Sequence, residues 1–142
     1  MISDTDMLNN IRKGTQMGCH GIDRILPKTR SNEMKQALLQ QKREYNEIYS
    51  QADRLLTKQG GEKQNLSAAA KLMSSVMSDM QTMMNSSTTK LAEMMITGNT
   101  MGVTKSIRHL NGYRGNNEQV LGIANKLLET EQRNIVQMQQ YL

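Results

Sequence analysis

Glu131 is the residue whose position in the sequence points most directly to chemistry. An ionised carboxylate on an apolar helix face needs a proton, a cation or a metal ion as its partner. Glu44 and Glu47 lie beside the apolar stripe of an earlier predicted helix. Two interpretations follow: a structural carboxyl bonded to a Tyr, to Gln41 or to an Arg, or a metal-binding set of the three glutamates. Heptad spacing places Glu131 in the middle of a stripe made by Leu121, Ala124, Leu128, Ile135, Met138 and Leu142.

Most other constellations expected at a catalytic or metal centre are missing from the sequence. A di-metal site in a helical bundle takes Glu from two helices and an ExxH pair from each of the other two, and there is no ExxH here. Cys19 with His20 and His109 is too small a set for a Cys/His zinc site. There is also no glycine-rich phosphate loop and no GxSxG elbow. We therefore expect no catalytic residues and no cofactor.

The thirteen methionines are the second feature that invites a chemical interpretation. Thioethers are soft ligands for Cu(I), which keeps a Met-ligated copper site as an alternative. Met also fills helical cores and adaptable interaction surfaces, and core filling is favoured because the chain has no Phe and no Trp. The predicted helix that carries the regularly spaced methionines has few charges. We therefore expect one of its faces to be used for self-association or for binding a protein partner. Those methionines are Met73, Met77, Met80 and Met84.

Apolar spacing and capping signals predict five helices that position these residues. A single Pro and only four aromatic residues disfavour β-structure, and 142 residues suit one domain spanning 1–142. The predicted helices cover about 4–26, from Ser31 or Asn32 to Gly60, 65–84, from Ser87 to a break at 111–116, and 117–142.

A repeated GxxMG motif links the first and fourth predicted helices. Gly14 and Gly18 match Gly98 and Gly102 at an offset of 84 residues, and each copy is followed by a break and a long amphipathic helix. Glycine within a helix costs about 1 kcal/mol relative to Ala, so it predicts a close neighbour or, as the alternative, room for a ligand or a partner subunit. We expect the two glycine-containing helices to pack close together, in a pseudo-repeat of helix pairs.

Charge and hydropathy narrow the expected partners. The net charge of +5 is divided into +3 for residues 1–65 and +2 for residues 66–142, with both signs mixed along the helices. Mixed faces are typical of a solvated surface, so nucleic acid is not the expected partner. No apolar run approaches the roughly 20 residues that cross a bilayer, and no signal peptide is evident at the N-terminus. A cytoplasmic protein is expected.

Three segments carry a resemblance to a known family. LAEMMITGNTMGV, QQKREYNEI with LLTKQGGEK, and LLETEQRNIVQMQQYL resemble a family of small ferritin-like helical proteins of clostridia and related bacteria, to which no activity is assigned. The resemblance implies a ferritin-like antiparallel four-helix bundle with an additional helix and without metal. The expected function is a non-enzymatic scaffold or interaction module that forms homo-oligomers or binds a protein partner. A metal-binding protein is the alternative.

Overall fold

The chain is all-α throughout the residues that the computed structural model describes, which are 1–67, 70 and 87–142. The all-α prediction is therefore confirmed for these residues. The helix predicted at 65–84, with its four regularly spaced methionines, falls almost entirely outside them. The helices are α1 (Asp4–Ile25), α2 (Asn32–Gln59), α3 (Thr88–Gly112) and α4 (Glu118–Gln139).

The polar residues that precede each helix determine where it begins. Ser3 opens α1 with a capping box, because its hydroxyl accepts from the Asp6 backbone N–H while the Asp6 carboxylate accepts from the Ser3 N–H. Ser31, Ser87 and Asn117 cap α2, α3 and α4 in the same general way, through a side-chain oxygen that accepts a backbone N–H. These starting points agree with the predicted ones.

Glycine and proline end the first two helices. The α2 helix stops at Gly60, whose φ of 70° is the left-handed conformation that glycine adopts without strain. Pro27 stands in a short 3₁₀ turn, Leu26–Lys28, directly after α1. The turn closes α1 onto α2, so these two helices form a tight hairpin.

Two antiparallel hairpins share one core. In the first hairpin, Lys42 Nζ contacts Asp23 Oδ1 at 2.6 Å, and in the second the Thr89 hydroxyl donates to the Tyr141 carbonyl at 3.1 Å. The hairpins meet along α2 and α4, where Gln41 Nε2 donates to Gln137 Oε1 at 2.7 Å. Buried apolar side chains from all four helices fill the interior, among them Leu8, Ile22, Leu38, Ile48, Leu56, Leu91, Val120 and Met138.

A buried arginine fastens the segment after α2 to the first hairpin. Arg12 is 3% exposed; it donates to the Gln64 carbonyl at 2.6 Å, and its Nε lies 3.0 Å from Asp53 Oδ1. The guanidinium also lies over the Tyr49 ring, 5.2 Å from the ring centroid. Asn9 adds a bond to the Glu62 carbonyl at 2.7 Å. Residues 61–66 consequently run alongside α1.

We expect Arg12→Met to lower the free energy of unfolding by about 2 kcal/mol, because the buried Asn9 Oδ1 and the partly exposed Asp53 carboxylate each lose a partner. Lys63→Met is the matched control: Lys63 Nζ contacts the same Asp53 carboxylate at 3.1 Å, but the lysine is solvent-exposed. Its loss should cost less than about 1 kcal/mol. Urea unfolding of both variants measures the difference. Equal losses of unfolding free energy would contradict the view that Arg12 holds residues 61–66 against α1.

Candidate functional site

A polar cluster lies inside the bundle where α2, α3 and α4 meet. The Tyr45 hydroxyl donates to Asn99 Oδ1 at 3.0 Å and accepts from Asn134 Nδ2 at 3.4 Å. All three residues are at most 5% exposed. Burial, together with the nearby Glu131 carboxyl, raises the pKa of the Tyr45 hydroxyl far above its usual value, so this tyrosine stays neutral. The cluster connects the two hairpins through neutral hydrogen bonds.

Glu131 lies one turn from Asn134 on α4 and is 5% exposed. The Ser106 hydroxyl on α3 donates to its Oε1 at 2.7 Å. The expectation that Glu131 bonds a Tyr, Gln41 or an Arg is therefore wrong: its partner is a serine, while Gln41 bonds Gln137. Ser106 satisfies one oxygen of the carboxyl without supplying a positive charge.

Burial decides the protonation state of Glu131. Removal of the carboxyl from water raises its pKa from 4.5 to about 7, against the smaller opposing effects of the Ser106 hydrogen bond and the Lys105 charge. Lys105 itself is solvent-exposed on α3. At neutral pH the group is therefore divided between its acid and carboxylate forms, which is unusual for a glutamate.

Gly102 makes room for the Glu131 carboxyl. A Cβ atom built at Gly102 would lie 1.7 Å from Glu131 Oε2, a distance that no side chain tolerates. In the first hairpin Gly18 has the same role, since a Cβ there would lie 2.6 Å from Cε2 of the Tyr45 ring. Each of these two glycines thus accepts a side chain from the middle of the next helix of its own hairpin.

The other two glycines of the repeated motif lie in different surroundings. A Cβ at Gly14 would make ordinary van der Waals contact with Leu127 of α4 at 3.4 Å. At Gly98 a Cβ would meet no atom within 4 Å. The predicted close approach of the two glycine-containing helices to each other is thus replaced by close approaches within each hairpin. The reason is that bulky groups at Tyr45 and Glu131 occupy the glycine notches.

The three glutamates considered as metal ligands are not brought together. Glu44 lies at the surface, 3.4 Å from Arg133 Nη2, and Glu47 is exposed further along α2. Among residues 1–67, 70 and 87–142, no group of three His, Cys, Asp or Glu side chains is positioned to hold a metal ion. The proposed set of Glu44, Glu47 and Glu131 is therefore wrong as a site, because only Glu131 turns into the core.

A groove of about 430 Å³ opens on the outside of the bundle between α2 and α4. Leu55 and Ile123, both partly buried, form its apolar part, and Arg54 and Lys58 are exposed beside them. Gly122 leaves further space, since a Cβ there would meet no atom within 4 Å. We call this surface the α2–α4 groove; its lining is Gln51, Arg54, Leu55, Lys58, Gln119, Gly122 and Ile123.

Sequence reasoning missed Ser106, Asn99 and Asn134 as partners within the polar cluster. A signal was present, because Asn99, Gly102 and Ser106 continue the apolar stripe of Leu91 and Met95 at helical spacing. Polar residues on a buried stripe indicate a hydrogen-bonded layer in the core. The α2–α4 groove left no such signal, because it arises between helices that are far apart in the sequence.

No known protein family, no curated protein and no solved structure matches this chain. None of the described helices is both long enough and apolar enough to span a membrane.

Alanine at two glycines of one helix should have opposite effects. We expect Gly98→Ala to raise the free energy of unfolding by about 1 kcal/mol, because the methyl meets open space and glycine is a poor helix former. Gly102→Ala should lower it by about 2 kcal/mol, because the Glu131 carboxyl must move. Thermal and urea unfolding measure both. Stabilisation by Gly102→Ala would show that the carboxyl does not occupy the notch.

Glu131→Gln should remove a specific pH dependence. The folded-state pKa of about 7 exceeds the usual 4.5, so the wild type has this stabilisation in full below pH 4.5 and loses it as pH rises through 7. The variant should match the wild type near pH 4 and exceed its unfolding free energy by about 3 kcal/mol at pH 8. His109 titrates in both proteins and cancels in the comparison. A difference in unfolding free energy between the two proteins that does not change with pH would contradict the raised pKa of Glu131.

Proposed function

We propose that this protein is a non-enzymatic helical interaction module that binds another polypeptide through the α2–α4 groove. The observation that carries the proposal is the groove itself, a shallow and open depression between two long helices in which Leu55 and Ile123 are partly exposed among polar side chains. Amphipathic helices commonly bind in depressions of this kind, with apolar side chains every three or four residues as anchors.

Gly122 leaves open space beside the groove, as Gly98 does on α3. An exposed glycine inside a helix costs about 1 kcal/mol relative to Ala. No side chain of the bundle occupies the space where a Cβ of Gly122 would lie. The absence of a side chain at Gly122 lets a partner helix approach α4 closely at the groove.

The interior polar cluster supports a structural role for Glu131 in place of an enzymatic one. Glu131 is 5% exposed and Tyr45 is 2% exposed, so a substrate in solution does not reach either group. A general acid or base must come within hydrogen-bond distance of the proton that it transfers. We therefore attribute the raised pKa of Glu131 to packing between α3 and α4.

The ferritin-like arrangement and the clostridial resemblance belong to the same proposal. Two antiparallel hairpins, α1 with α2 and α3 with α4, around one core support it. Self-association, a cytoplasmic location and the use of Met73, Met77, Met80 and Met84 as an interaction face also stay proposals. The interaction can be tested by substitutions in the α2–α4 groove.

We expect Gly122→Trp, which fills the groove, to weaken binding of groove-directed peptides at least tenfold, which corresponds to about 1.4 kcal/mol. Peptides are obtained by display selection of amphipathic helices against the wild-type protein, and affinities are measured by fluorescence anisotropy. Gly98→Trp is the matched control, since Gly98 also faces open space but lies on α3.

Light scattering of the same variants tests self-association through this surface. A dimer that Gly122→Trp converts to monomer would support the interaction module with a second copy as its partner. Selection of no peptide, combined with a mass unaffected by either tryptophan, would overturn the proposed function.

A further inference from the structure

We propose that the α2–α4 groove binds an acidic amphipathic helix of a partner protein. This inference rests on the proposed interaction function and adds the chemistry of the partner. It follows from the charges beside the groove, from the shape of its apolar part, and from the poor match that a second copy of the chain would offer.

Arg54 and Lys58 give the groove an uncompensated positive edge. They lie one turn apart on α2, so their side chains are neighbours on one face. Within residues 1–67, 70 and 87–142, neither takes part in an ion pair. Several other cations are neutralised locally, as Lys42 is by Asp23 at 2.6 Å. Carboxylates at matching spacing on a partner helix would supply the missing charge.

The apolar part of the groove determines the pattern that the partner helix must carry. Leu55 from α2 and Ile123 from α4 face the same depression, with Gly122 beside them. A helix that lies along the groove presents apolar residues at spacings of three and four to this part. Its neighbouring positions, on the α2 side, then lie beside Arg54 and Lys58. The expected partner combines a Leu- or Ile-rich stripe with a flank of Glu or Asp.

A second copy fits this groove poorly. Val136, 65% exposed, is the most exposed large apolar side chain on α4. Arg133 lies three residues before it, so both project from the same side of the helix. Insertion of Val136 into the groove of another copy would bring Arg133, which is paired with Glu44 at 3.4 Å, towards Arg54 and Lys58. This balanced pair supplies no net negative charge to the positive edge, so an acidic partner matches the groove better.

The charge on this face of α2 changes sign along the helix, with Glu47 at the negative end. Glu47 lines a second depression of about 350 Å³ that shares Gln51 and Arg54 with the groove. The surface is therefore negative near Glu47 and positive from Arg54 to Lys58. Glu47→Lys extends the positive edge, so its effect on an acidic helix is opposite to that of charge reversal at Arg54.

The test uses a display library of amphipathic helices with Glu, Lys or Gln at the polar positions, selected against the wild-type protein. We expect the recovered peptides to be enriched in Glu over Lys. Their affinity should fall at least tenfold for Arg54→Glu with Lys58→Glu and should rise for Glu47→Lys. Arg30→Glu with Arg108→Glu reverses two exposed charges elsewhere and should leave affinity unchanged. Added salt should weaken peptide binding more in the Arg30→Glu with Arg108→Glu variant, which keeps the positive edge, than in the Arg54→Glu with Lys58→Glu variant.

The outcomes separate this inference from the proposed function. Peptides that are neutral or Lys-rich but lose binding in Gly122→Trp would overturn the acidic partner and keep the interaction module. A dimer abolished by Gly122→Trp would also overturn the acidic partner and keep the interaction module, with a second copy as the partner. Retention on DNA that the Arg54 and Lys58 reversals abolish would also overturn it. Failure to recover any peptide would overturn the acidic partner, and combined with a mass that neither tryptophan changes it would overturn the proposed function as well.

Discussion

The packing of a carboxyl group between α3 and α4 is the constraint on which the second hairpin depends. Glu131 Oε2 occupies the volume that a side chain at position 102 would fill, so the two helices approach closely only with glycine there. Ser106, one turn further along α3, donates to the other oxygen at 2.7 Å. The cost of desolvation exceeds the benefit of this single neutral bond, which is why the carboxyl retains its proton to about pH 7. Burial of the Glu131 carboxyl between α3 and α4 thus explains both the need for glycine at position 102 and the raised pKa of the carboxyl.

The first hairpin solves the same packing problem with a different group. The Tyr45 ring packs into the notch at Gly18, and its hydroxyl then reaches Asn99 on α3. The internal repeat therefore preserves a glycine notch that receives a side chain from the following helix, while the chemistry of that side chain differs. Tyrosine also joins the hairpins, because its ring packs within one and its hydroxyl bonds to the other. Arg12 adds a further constraint by binding residues after α2 to α1.

Polar groups in the interior fix the helix arrangement that also forms the groove on the exterior. The buried hydrogen bonds specify how the helices register, since any slip would leave amide and hydroxyl groups unpaired in a medium that does not compensate them. The groove depends on that register, because its lining comes from α2 and α4 together. Its cations Arg54 and Lys58 form no ion pair among the described residues, whereas the buried Arg12 is paired with Asp53.

The sequence by itself determined the helices: capping residues at Ser3, Ser31, Ser87 and Asn117 and the stop at Gly60 are local signals, and they act within one or two turns. It also identified Glu131 as a carboxyl on a buried face. Only the tertiary structure decided that its partner is Ser106, that Glu44 and Glu47 stay at the surface, and that a groove opens beside Gly122. These features depend on the rotation and axial shift of one helix against another, which apolar spacing constrains to a face and not to a particular neighbour.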